Sequence, residues 1–252
     1  MPELDFFDCN CRFGSAAAGE AAIATLPELL AEMDYYGVRR ALIRHNNLDK
    51  GALSSNALLA EALAQKHESR LVGACCILPA QCDELPEPKE FFAWMRQSGM
   101  RALTLSPFEH RYLPNRLTLG KMLDAASERK VPVLLNAFAG KWPELYAFLQ
   151  EFPKLTCVYV ESVGKWGSDR NIRPLLENYP NFYFETSGYW VPEGIADLVE
   201  KYGSRRILYG SGLPRYNQGS SMLQLRHSGL DAISMARVAG ENLEYLLQEA
   251  EI

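Results

Sequence analysis

Eight short apolar runs recur along the 252 residues, each followed by a longer segment of helical periodicity, and this alternation restricts the fold more than any other feature. The runs are Asp5–Cys9, Arg40–Arg44, Leu71–Leu78, Arg101–Leu105, Val131–Asn136, Leu155–Glu161, Phe182–Thr186 and Ile207–Gly210. Their Val, Ile, Leu, Phe and Tyr content is that of strands buried on both faces of a parallel sheet. Between them, Leu26–Tyr36 places Leu26, Leu29, Leu30 and Met33 on one helical face. Further helices are expected over Asn56–His67, Lys89–Ser98, Arg116–Arg129, Trp142–Phe152, Ile172–Tyr179, Pro192–Tyr202 and Ala232–Gln248. Pro27, Pro143 and Pro192 stand where first helical turns would begin, and Gly37, Gly99 and Gly203 where helices would stop. Pro79–Pro88 and Pro214–Ser221 read as rim loops. An open doubly wound sheet shares this local pattern, but eight units of about 30 residues favour closure. The expected fold is α/β: a single-domain (β/α)8 TIM barrel with parallel strands over residues 1–252.

Composition excludes several function classes. Apolar residues make up 48% of the chain, enough for a large core. The net charge of −5, without a basic run, argues against nucleic acid and anionic membrane as partners. The start, MPELDFFDCNC, lacks the charged and apolar regions of a signal peptide, and no uninterrupted apolar stretch approaches about 18 residues. Six cysteines in a chain of this length read as reduced thiols. The expectation is a cytoplasmic protein with a small-molecule ligand; homo-oligomerisation stays open.

Five segments in order resemble one family. Asp8-Cys9-Asn10-Cys11-Arg12-Phe13-Gly14 is similar to an Asp-x-His-x-His-apolar-Gly strand, and Phe152-Pro153-Lys154-Leu155 through Gly164 to a Phe-Pro, apolar strand, His-x-Gly segment. Asn181–Gly188 is similar to a seventh strand, and Arg206-Ile207-Leu208-Tyr209-Gly210-Ser211-Gly212-Leu213-Pro214 to an eighth-strand motif, Arg-Ile-Leu-Phe-Gly-Ser-Asp-x-Pro. Val238–Leu246 fits a closing helix. Together these resemble the amidohydrolase-related (amidohydrolase-2) family of metal-dependent hydrolases and decarboxylases, from Asp5 to Leu247.

The resemblance implies metal ligands on strands 1, 5, 6 and 8, and at those positions this chain departs from the family. The first-strand histidines correspond to Asn10 and Arg12, the fifth-strand histidine to Asn136, the sixth to Ser162 beside Glu161, and the eighth-strand aspartate to Gly212. Thr104 stands where a lysine ligand can occur. Catalytic zinc takes three imidazole, thiolate or carboxylate ligands plus a water. Neutral amides are poor substitutes, and a guanidinium repels a cation. No metal and no cofactor are therefore expected. Strand alternation would turn Cys9 and Cys11 away from Asn10 and Arg12, into the wall packed by helices.

The strand ends leave a donor-rich rim. Arg12 either pairs with Glu161 as a structural ion pair or, with Arg215, forks the carboxylate or phosphate of an anionic ligand. Asn10, Asn136, Ser162 and Trp190 complete the candidate ligand-binding set, and Glu161 and His45 are the candidate acid/base residues. Two functions stay open: a metal-independent hydrolase or lyase acting on a small carboxylate-bearing substrate, and a catalytically inactive barrel that binds a ligand or another subunit.

Overall fold

The computed structural model describes residues 4–15, 22–46, 51–65, 69–160 and 169–252. Strands β1 (Phe6–Phe13), β2 (Val38–His45), β3 (Leu71–Cys76), β4 (Met100–Thr104), β5 (Val133–Leu134), β6 (Cys157–Tyr159), β7 (Phe182–Glu185) and β8 (Ile207–Leu208) form one sheet in sequence order. Every neighbouring pair is parallel. The sheet closes through the segment after β8: Cys9 N donates to Tyr209 O at 3.0 Å, Gly212 N to Asn10 O at 3.1 Å and Arg12 N to Leu213 O at 2.9 Å. The fold is a single-domain (β/α)8 TIM barrel. Among the described residues, no helix is long and apolar enough to cross a membrane.

Helices α1 (Leu26–Tyr36), α2 (Ala52–Ala64), α3 (Pro88–Gln97), α4 (Arg116–Glu128), α5 (Trp142–Glu151), α6 (Asp169–Asn178) and α7 (Gly194–Tyr202) form the outer ring. Helix α1 begins as its sequence dictates. Thr25 and Glu28 make a reciprocal capping box, Pro27 sits in the first turn, and Gly37 stops the helix at φ 75°. Two expectations need correction. Residues 214–221 are not all loop, because Asn217 caps Ser220 N and starts α8 (Gln218–Arg226). The segment expected as one helix over 232–248 is α9 (Ala232–Ala236) and α10 (Asn242–Gln248), joined by a π-helical turn at Arg237–Glu241. That turn brings Gly240 against the first strand, where an added Cβ would lie 2.4 Å from Asp5 O.

The core has two layers. Between strands and helices lies a large cluster including Phe6, Leu29, Met33, Leu103, Phe148 and Phe184. Inside the barrel lies a smaller one, made by Phe7, Cys9, Leu42, Val72, Ala74, Ala102, Leu134, Val158, Val160 and Leu208, with Leu243, Leu246 and Leu247 of α10 packed on it. Helix α10 is fixed there by Arg101 on β4, which donates to Leu247 O and Ala250 O, each at 2.8 Å. Cys9 belongs to the inner layer, contrary to the expectation from strict alternation. The register of β1 against β2 shifts between Asp8 and Cys11, and a bulge of that kind puts two successive residues out of phase. Cys11 does face the helices. Cys9 and Asn10 are both fully buried.

Candidate functional site at the mouth of the barrel

Strand residues two apart share a face, so the residues following the inner apolar layer point into the upper barrel. Leu42 is followed in this way by Arg44, Ala102 by Thr104, Leu134 by Asn136, Tyr183 by Glu185 and Leu208 by Gly210. Arg44 is 1% exposed and Glu185 is 0% exposed. A buried charge is tolerated only with compensation and hydrogen bonds. Here Asn10 links the two. Its Oδ1 accepts from Arg44 Nη2, and its Nδ2 lies 3.3 Å from Glu185 Oε2 and 3.1 Å from Ser187 Oγ. Ser187 Oγ donates to Glu185 Oε2 at 2.8 Å, and Ser187 N donates to Glu185 Oε1. The carboxylate thus accepts from three donors, one on β1 and two from Ser187 just after β7, and the amide orientation of Asn10 follows from having a cation on one side and an anion on the other.

Glycine at 210 makes room for this arrangement. A Cβ there would sit 1.9 Å from Glu185 Oε1. Asp8 ties the bulge to the opposite seam: its Oδ1 accepts from Asn10 N at 3.1 Å and Ser211 N at 2.9 Å, and its Oδ2 from Gln218 Nε2 at 3.0 Å. Gly212 has φ +72°, the left-handed region that glycine adopts without strain.

Beside this network the mouth opens into a cavity of about 250 Å³, with Arg12, Arg44, His45, Glu109, Asn136 and Lys141 among its walls. Thr104 Oγ1 donates to Asn136 Oδ1 at 2.6 Å. The His45 ring meets Phe13 edge-on at 5.0 Å, and burial pulls its pKa below the ordinary value. Lys141 holds its ammonium 3.2 Å from the centre of the Phe108 ring.

The candidate residues separate in space. Arg12, His45 and Asn136 share the cavity. Asn10 is fully buried in the adjoining network. Arg215 is exposed, 5.5 Å from the centre of the Tyr216 ring. Trp190 lines a different cavity of about 350 Å³, formed with the loop before α7 and the end of α8. Glu161 and Ser162 lie outside the described residues. Sequence reasoning missed Glu185 as a site residue. The available signal was an acidic residue two positions beyond inward Tyr183, with glycine at the matching place on β8.

The family model described as Amidohydrolase matches residues 14–231. The chain belongs to this amidohydrolase family. No curated protein sequence matches it. Solved structures share the fold at low identity. An uncharacterised TIM-barrel protein from Bordetella bronchiseptica is 19% identical, with a TM-score of 0.70 over 98% of this chain and 99% of that one. A 2,6-dihydroxybenzoate decarboxylase from Rhizobium is 14% identical, with a TM-score of 0.72 over 98% and 99%. A dihydroxybenzoic acid decarboxylase from a Polaromonas species, solved with bound manganese, is 15% identical, with a TM-score of 0.71 over 98% and 97%.

The metal that such amidohydrolase relatives imply does not suit the donors described here. Asn10 Oδ1 accepts from a guanidinium, Asn136 Oδ1 accepts from a hydroxyl, and residue 212 has no side chain. Burial, followed by the nearby carboxylates, pushes the Cys9 thiol well up; burial followed by Asp8 does the same to Cys11. Among the described residues no group of three or more His, Cys, Asp or Glu side chains is placed to hold a metal ion.

Proposed function

We propose that this amidohydrolase-family barrel is a metal-independent enzyme that binds a small carboxylate-bearing substrate at the C-terminal mouth and cleaves it by hydrolysis or as a lyase. The observation that carries the reading is the wall of the 250 Å³ cavity, where Arg12, Arg44 and Lys141 face one space with Glu109 as the acidic member among the described lining residues. A guanidinium presents a planar fork of donors that matches a carboxylate. Preorganised cations in a partly water-excluded space also stabilise negative charge developing on a reacting carbonyl. His45, kept neutral by burial, is the group that can accept a proton near pH 7.

A second reading has its own support. Glu185, the buried carboxylate of the upper barrel, already accepts from Ser187 and Asn10, and Gly212 offers no carboxylate at all. A barrel that binds its anion without turnover is consistent with that. Calorimetric titration with benzoate and butyrate, followed by product analysis on esters, lactones and aromatic acids, separates the two. Binding that weakens at least tenfold in Arg12→Ala supports the site, and product formation undiminished after chelator dialysis supports metal independence. A stoichiometric divalent metal whose removal abolishes turnover would overturn it.

A further inference from the structure

Resting on the reading of the mouth as a carboxylate site, we infer that the ligand carries two acidic groups, and that Lys141 is the specificity-determining residue that receives the second. The cations of the cavity come from two places in the fold. Arg12 and Arg44 stand on adjacent strands β1 and β2, whereas Lys141 follows β5 and leads into α5. In an eight-stranded ring, β1–β2 and β5 lie on nearly opposite sides of the mouth. A small dianion with an acidic group at each end matches cations supplied from both sides of one cavity.

Lys141 is also placed against the rules of helix stability. It is the N-cap residue of α5, where the peptide dipoles already present positive charge and where Ser, Thr, Asp or Asn would normally accept from the first-turn N–H groups. No side chain caps this end. A cation here opposes the helix dipole, which Glu144 in the first turn offsets from the chain itself. The Lys141 ammonium is held over the Phe108 ring, which in turn packs edge-on to buried Phe138, with centroids 6.1 Å apart. Lys141 shares the cavity wall with the small side chains of Ala137 and Ala139. The volume of about 250 Å³ suits a ligand with one ring or a short chain between its acidic groups.

The test is calorimetric titration of the whole protein with benzoate against isophthalate and butyrate against glutarate, using wild type, Lys141→Met and Lys141→Arg. The expected result is a dicarboxylate preference of about tenfold or more in wild type, retained in Lys141→Arg and lost in Lys141→Met. Equal binding of mono- and dicarboxylates by wild type, or a preference that survives in Lys141→Met, would overturn the inference and leave the carboxylate site standing. Failure of all four acids to bind would overturn both.

Discussion

Phe7, Leu42, Ala74, Ala102, Leu134, Val158 and Leu208 fill the lower interior of the barrel with hydrocarbon, while one strand step higher Asn10, Arg44, Thr104, Asn136 and Glu185 fill it with hydrogen bonds. Apart from half-buried Asn136, the named residues of both layers are buried. They differ in tolerance. A hydrocarbon layer is held by volume and accepts exchange of shape, whereas a polar layer is held by matched partners, and each member removed leaves another unmatched. The lower layer belongs to folding. The upper layer also supports the wall of the cavity through Arg44.

The comparison is tested most severely at its charged ends. Glu185→Gln keeps the shape but removes the negative charge from the Arg44–Asn10–Glu185 chain. The expected loss of stability is about 3 kcal/mol, measured by urea denaturation. Arg44→Met should cost a similar amount. The double variant should cost clearly less than the sum, because neither charge then remains buried without the other. Additive losses would mean that Asn10 does not couple the two, and the polar layer would be only a set of independent contacts.

Gly210→Ala probes the same layer by sterics. The new methyl would collide with Glu185 Oε1, and the carboxylate is tied to Ser187 and Asn10, so it cannot move without breaking bonds. A loss of about 2 kcal/mol is expected. It should shrink in a Glu185→Ala background, where the obstacle is gone.

The lower layer was largely legible in the sequence and the upper one only in part. Apolar runs at a period of two and helices with a period of 3.6 fix the eight units, and Leu26–Tyr36 begins and ends where Thr25, Pro27 and Gly37 put it. The inward face of a strand is also readable, until the strand is irregular. At β1 the bulge between Asp8 and Cys11 moves Cys9 to the inside, and no local composition signals it. The pairing of Arg44 with Glu185 through Asn10 joins residues 141 positions apart in the chain for the charges and 175 for the amide and carboxylate. Such a pairing is fixed by closure of the barrel rather than by any nearby sequence. Helix α8 was hidden by Gly219, Ser220 and Ser221, weak helix formers that read as loop, although the Asn217 cap was present.

A milder contrast concerns volume. Leu134→Met changes shape but little size inside the lower layer and should cost about 1 kcal/mol in urea denaturation. Asn10→Leu is a comparably small change in size one layer higher, yet it should cost at least twice as much, because it removes a hydrogen-bond partner from both Arg44 and Glu185. Equal losses would erase the distinction between the layers.

The smallest expected effect lies at the border of the two environments, where His45 meets Phe13 on one side and the cavity on the other. Burial lowers its pKa in the folded state below the unfolded value of about 6.5. The unfolded chain therefore binds more protons just below pH 6.5, and stability rises with pH in that window. The His45 contribution is complete above about pH 6.5 and is withdrawn as the pH falls through the folded-state pKa. Between pH 7.5 and 5, wild type should thus lose more stability than His45→Gln, and an NMR titration should find the His45 imidazole titrating below a free histidine. A bound dicarboxylate would place negative charge beside the ring and favour its protonated form, so isophthalate should raise the His45 pKa. By linkage, its affinity should then increase as the pH falls from 7.5 toward 5.5. A His45 pKa that does not respond to isophthalate would place the anion away from this wall of the cavity, while the burial that separates the two layers would still hold.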